Sequence, residues 1–403
     1  MWKKSVLAVA VGAASLAAQA QQTPSMEEMW QLIQQQQAEI KELKSQLNKT
    51  DNKLQVTEQK LDATADAVEQ GVAVGSNEKL AKLASWAEKT SIGGYGEHHF
   101  NHKEDGDDQI DAHRYVLYIG HQFTDKVRFF SEFELEHSLA GDGKPGEVEL
   151  EQAYIEYDFA EKHSVQIGQF LMPVGILNET HEPDTFYGTE RNKVEAEVIP
   201  ATWWEAGVMA LGEIAPGLSY NAAVHSGLKT DNFRIRSGRQ KNAEATAEDL
   251  AFTGRLKYTG IQGLELAATY QYQQDIAQGL LTESAEASLM EAHAIYNIGG
   301  FGVRALWAEW DIDGADFEAA EADTQSGWYL EPSYKFTDKL GVFVRYSEWD
   351  RGDKMLSDID YKAYDYGINY WIHPQVVLKA DYTDTVGKND EGDALNLGVG
   401  WSF

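Results

Sequence analysis

Residues able to do chemistry cluster in four places along this chain. In HHFNH, His98 and His102 share one face of an extended strand, and two imidazoles can begin a metal site. No third ligand is specified, so histidines exposed on a watery interior are the plainer reading. DIDGADFEAAEAD, from Asp311, is rich in oxygen ligands but misplaces the glycine of a calcium loop, which leaves a solvated acidic loop. KTDNFRIRSGRQK gathers Lys229, Arg234, Arg236, Arg239 and Lys241, which could collect anions or pair with neighbouring acidic loops; pairing is the expectation. No G-x-S-x-G nucleophile motif is present, so neither catalysis nor a cofactor or metal is expected.

The fourth place is LMPVGILNETHEPDTFYGTERNKVEAEVIPATWWEAGV. Between Gly175 and Trp203 it is too long for a simple hairpin, and loops of this length are usually functional. Its charges are mixed, with Glu182, Asp184, Glu190, Glu195 and Glu197 against Arg191 and Lys193.

The elements that must position these groups are strands. After Ser91 the chain alternates apolar and polar residues in segments of about ten to thirteen residues, and sixteen can be placed before Phe403. Short turns at Thr124–Asp125, AEKH, IAPG, IQG, Gly299–Gly300, Thr337–Asp338 and His373–Pro374 alternate with longer polar loops. An even count with that alternation predicts a closed transmembrane β-barrel of sixteen antiparallel strands over 91–403, its short turns periplasmic. The final run LNLGVGWSF then closes the barrel with its apolar face in lipid, and Phe403 is the expected signal to the barrel-insertion machinery. Tyr115, Tyr346, Tyr370, Trp371 and Trp401 are expected in aromatic girdles.

Period two also assigns the inward face. In KVRFFSEFELEH it carries Arg128, Glu132, Glu134 and Glu136. Elsewhere it carries Arg114, Arg255, Lys257, Glu291, Arg345, Asp365, Lys379 and Asp381. Charges facing inward predict a water-filled interior.

The remainder of the chain has a different pattern. Lys3 and Lys4 before VLAVAVGAASLAA, with AQA at Ala18 to Ala20, predict a signal peptide over 1–20. Heptad positions from Met26 through Ile33, Ile40, Leu47, Leu54 and Leu61 to Val68 predict a periplasmic α-helical coiled coil over 21–75, followed by a linker over 76–90. Cysteine is absent, which excludes a disulfide framework and a lipid-anchor thiol. The net charge is −31, and 54 acidic against 24 basic residues follow residue 90, which argues against a nucleic-acid partner. The expected partners are outer-membrane lipid, lipopolysaccharide and two further copies of the chain.

GQFLMPVGI, FYGTERN and IPATWWEAGV resemble the phosphate-selective porin O and P family, loosely over the barrel from Ser91 to Phe403. The resemblance implies a trimeric sixteen-stranded barrel in the outer membrane of a Gram-negative bacterium, with a third long loop folded into the lumen as its constriction. It also implies anion selectivity through arginines and lysines, here Arg191 and Lys193 on the loop. The acids interleaved on the inward faces match or outnumber the bases, so the charge arithmetic predicts weak cation preference instead. A passive diffusion channel is therefore expected. A tether between outer membrane and cell wall, with the barrel as mere anchor, is the rival reading.

Overall fold

The computed structural model describes residues 83–403 apart from 105, 353–360 and 387–391; the expected signal peptide, the coiled coil and the first part of the linker, 76–82, lie outside the described residues. Ser85–Phe403 is one compact unit, and a short helix covers 83–88. Sixteen strands follow. The first eight are β1 (Thr90–Lys103), β2 (Gln109–Thr124), β3 (Val127–Glu136), β4 (Val148–Ala160), β5 (His163–Leu171), β6 (Trp204–Ala215), β7 (Leu218–His225) and β8 (Ala251–Ile261). The rest are β9 (Leu264–Gln273), β10 (Glu286–Ile298), β11 (Phe301–Asp313), β12 (Thr324–Thr337), β13 (Leu340–Asp350), β14 (Tyr361–His373), β15 (Val376–Val386) and β16 (Ala394–Ser402).

Each strand runs antiparallel to its neighbours in sequence, and β16 pairs with β1, so no edge is left open. All seven turns expected to be short are two-residue connections. No described helix is long and apolar enough to cross a membrane; the crossing elements are strands.

Alternation sorts the side chains as period two requires. Phe133, Leu256, Val344, Ile368 and Leu397 are exposed on the outside and form an apolar band, while Glu134, Arg255, Arg345, Asn369 and Asn396 are buried inside. The terminal strand is tied down as its pattern demands: Gly94 donates to the carbonyl of Phe403 at 3.0 Å, and Phe403 donates back to Gly94 at 2.9 Å. Its ring lies outside, stacked on Tyr115 at 6.4 Å.

Two expectations are corrected by the side on which a residue falls. Trp371 is not in a girdle, because it alternates with outward Tyr370 and points inward. There its indole donates to the carbonyl of Asp184 at 3.4 Å and carries Lys335 over its ring at 4.0 Å. His98 and His102 do share a face, but it is the outer one, where His98 stacks on Trp401 at 5.6 Å; they are not lumenal.

The interior is also less uniformly wet than its charges imply. Inward residues of β6, β7, β10, β11 and β12, among them Met209, Leu289, Leu306, Trp310 and Tyr329, form one apolar core with Met172, Val174, Val198 and Trp203. Trp203 and Trp310 are fully buried, their rings 6.2 Å apart. Burying a large apolar side chain contributes about 1.5–3 kcal/mol. That side of the barrel is a dry wall against which the loop after β5 is packed.

Candidate functional site

The loop Met172–Trp203 leaves β5 and returns to β6. Its neck is closed by Asn178, whose amide donates to the carbonyls of Met172 (2.7 Å) and Trp203 (2.9 Å) and whose oxygen accepts from the Trp203 backbone N–H (2.7 Å). Glu195 organises the middle by accepting the N–H groups of Ile176 (2.9 Å) and Leu177 (2.5 Å) and the hydroxyl of Tyr329 (2.7 Å). A buried carboxylate satisfied three times over is a structural group.

From there the loop visits strands all round the barrel. Thr269 of β9 donates to Pro173, Trp310 of β11 to Val198 and Asn369 of β14 to Phe186, at 3.3, 2.8 and 3.0 Å. Lys379 of β15 donates to Gly188 at 2.7 Å, and Asp381 accepts from Thr189 N–H at 2.6 Å. His99 of β1 meets Glu190 at 3.0 Å. Contacts to inner faces on every side of a closed barrel put the loop inside it. The glycines of LNLGVGWSF make room for it, since a Cβ on Gly400 would lie 2.4 Å from Pro183 Cβ and one on Gly398 2.9 Å from Thr189.

Between this loop, the long loop 226–250 and the walls of β1, β2, β14 and β15 lies a cavity of about 780 Å³. Eight acidic, eight basic and three histidine side chains line it. Of the residues expected at a constriction, Glu190, Arg191, Lys193 and Glu197 line the cavity. Glu195 is a correction: it is fully buried on backbone donors and cannot face a solute. Glu182 bonds Tyr118 (3.3 Å) and Asp184 bonds Ser402 (2.8 Å), both away from the cavity lining.

All twelve residues expected on the inner face are there, yet pairing and loop coverage decide what each does. Arg114, Glu136, Arg345, Asp365 and Asp381 reach the cavity. Arg345 is held by Glu331 (2.9 Å) and Asp365 (3.0 Å), and Arg114 by Glu97 (2.8 Å). Arg128 pairs with Asp158 (2.8 Å), Arg255 with Glu179, and Glu291 with His293 (2.6 Å). Glu132, Glu134 and Lys379 are covered by the loop, and Lys257 lies on the inward face beyond the cavity lining.

Glu97, His99, Asp111 and His113 are cavity residues that the sequence reading did not name. Glu97 and His99 occupy the inward face of β1, legible as the other half of the alternation that holds His98. Asp111, His113 and Arg114 all reach the cavity because β2 carries an extra residue opposite the Glu97/His99 step. A bulge re-aims side chains and leaves no plain mark in a sequence.

Arg236 and Arg239, named from the sequence as possible anion collectors, also line the cavity. The expected pairing of loop 226–250 with acids is met by Arg234 with Glu197 (2.9 Å) and Lys241 with Glu147 (2.5 Å). Arg236 instead donates to the carbonyl of Ala201 (2.9 Å), and Arg239 to that of Thr202 (2.5 Å). Burial, with Arg236 and Arg191 close by, pulls the Arg239 guanidinium down to about 10. Burial likewise lowers Arg191, whose Nη2 has no hydrogen-bond partner. Burial alone would raise Glu190, but His99 and Asn101 hold its carboxyl down at about 2.

Residues 6–390 match the model of a family described as Gram-negative porin. An uncharacterized protein of Aquifex aeolicus (strain VF5) is 30% identical over 370 residues, 82% of this chain and 83% of that one. Among solved structures, the outer membrane channel DcaP of Acinetobacter baumannii aligns with a TM-score of 0.58 at 13% identity, covering 78% of this chain and 97% of that chain. The trimer form of OmpT of Vibrio cholerae aligns with a TM-score of 0.53 at 12% identity, covering 78% and 99%. At such identities the likeness is one of fold. A closed sixteen-stranded barrel with an apolar outer band, holding a charged cavity and matched over residues 6–390, belongs to the Gram-negative porin family of outer-membrane channels.

Proposed function

We propose that the loop Met172–Trp203 is the constriction of a passive diffusion channel for small hydrophilic solutes and ions. The observation that carries this reading is the loop itself, hydrogen-bonded to inner faces around the barrel and bordering a cavity of about 780 Å³.

Selectivity follows from which charges are neutralised. Glu97, Glu190, Glu197 and Asp365 each have a cationic or histidine partner. Arg236 and Arg239 are held by carbonyls. Their loop springs from β7 and β8, across the strand order from β15 and β16. Eight basic against eight acidic lining residues, with Arg236 and Arg239 carrying no carboxylate partner in these contacts, support weak net selectivity with an anion-attracting patch. A finer specificity for phosphate rests on the resemblance of GQFLMPVGI, FYGTERN and IPATWWEAGV alone. We further propose a homotrimer whose residues 21–75 form a periplasmic coiled coil.

Purified protein in a planar bilayer tests the channel. Stepwise conductance of porin size is expected; a folded barrel that produces no steps would leave the tether as the reading.

A further inference from the structure

Beneath the loop, on the side of β3 and β4, lies a second cluster that the channel reading does not use. Glu132, Glu151 and His181 are all buried, at 1%, 0% and 2% exposure, and each offers a ligand atom within 4.8 Å of the others. His181 comes from the loop, Glu132 from β3, and Glu151 from β4.

Three observations set this cluster apart. His181 Nδ1 donates its proton to the carbonyl of Asn178 at 3.2 Å, which turns Nε2 toward the two carboxylates. Metal-bound histidines are held in this way, by the opposite N–H on a backbone carbonyl. The Nε2 separations are 3.6 Å to Glu132 and 3.4 Å to Glu151, long for N–H···O hydrogen bonds. Two ligands of one tetrahedral ion at bond lengths of about 2.0–2.1 Å stand about 3.3 Å apart. Finally, Glu132 Oε1, both oxygens of Glu151 and His181 Nε2 have no hydrogen-bond partner. The other Glu132 oxygen is fixed by Gln152 at 2.6 Å, an outer contact that aims the free one.

The neighbouring histidine clusters lack these features. His99 meets Glu190 at 3.0 Å and Glu97 at 3.1 Å, and Asp111 meets His137 at 2.7 Å and His113 at 3.1 Å. Those are ordinary hydrogen-bond lengths, and the groups satisfy one another.

We propose that Glu132, Glu151 and His181 bind a divalent transition cation of the Zn²⁺ class, which pins the lumenal loop to the wall of β3 and β4. Two carboxylates with an imidazole suit such an ion; Ca²⁺ takes six or more oxygens and no nitrogen. The charges agree: Glu132 and Glu151 are both buried, and one divalent cation balances the two carboxylates while His181 serves as a neutral ligand. Buried charge left unbalanced is costly.

The test uses the full-length protein in detergent, shown folded by its heat-modifiable migration, stripped with EDTA and then dialysed against Zn²⁺. About one Zn²⁺ per chain is expected, with affinity falling about tenfold or more in folded His181→Asn and Glu151→Gln. Zn²⁺ should raise the melting temperature of the unsubstituted protein while Mg²⁺ does not, a readout that stands even if the variants fail to fold. The proposal is overturned if both variants bind zinc like the parent. It is equally overturned if Zn²⁺ neither binds the stripped parent nor shifts its melting, with nitrogen NMR reporting a doubly protonated His181 paired to the two carboxylates. Bilayer conductance is read separately, so a failed metal site leaves the channel reading intact.

Discussion

The backbone N–H of Thr189 donates to Asp381 Oδ1 at 2.6 Å, joining the tip of the lumenal loop to β15 across 192 residues of sequence. Asp381→Ala leaves that buried donor unsatisfied, which costs about 1–3 kcal/mol. The barrel should still form, and single-channel records should show larger, noisier steps as the loop comes off its latch. Steps identical to those of the parent would mean that Lys379 and Asn369 hold the loop without it.

Gly400 is the seat of Pro183. In Gly400→Leu the new side chain must displace the loop, and overpacking of this kind costs about 1–3 kcal/mol. Altered conductance and faster protease cleavage between Met172 and Trp203 are expected. Leu397→Val, on the lipid face of the same strand, should change neither.

The arginine patch is tested by Arg236→Glu with Arg239→Glu. Reversal potentials across a salt gradient should move several-fold toward cations, since fixed charge in a narrow low-dielectric passage sets the local counter-ion concentration. Parent values should lie near neutrality. A clear cation preference in the parent would restore the expectation drawn from the inward charges.

Acid should loosen the loop through Glu190. Its carboxyl is held at about 2 in the folded protein by His99 and Asn101 after burial is overcome, below the usual value. The sign follows: a depressed folded value contributes stability above the unfolded pKa, and that contribution is lost as pH falls from about 4.3 through about 2. Conductance recorded from pH 5 downward should change across that window, and Glu190→Gln should flatten the change.

Deleting residues 21–70 should weaken the trimer while the barrel keeps its heat-modifiable migration. A truncated chain that no longer folds would show that the two parts are not independent.

The barrel was legible because its signals are local. Period two in KVRFFSEFELEH and LNLGVGWSF settles which residues share a face, turn residues at fixed places set the hairpins, and lipid outside demands the apolar side. The same rule held the correct faces of β1 and β14, although attention to His98 and Trp371 took the wrong member of each alternating pair. Tertiary structure decided everything that depends on residues meeting from far apart. That Glu195 is a buried brace while Glu190 and Arg191 face the cavity follows from how the loop folds on Tyr329, Asp381 and His99. The extra residue of β2 that brings Asp111 and His113 to the cavity beside Arg114 has no period to reveal it. Pattern fixes a side chain's direction within its own strand; which charges neutralise one another, and which are left for a solute, depends on distances that exist only once the barrel has closed around its loop.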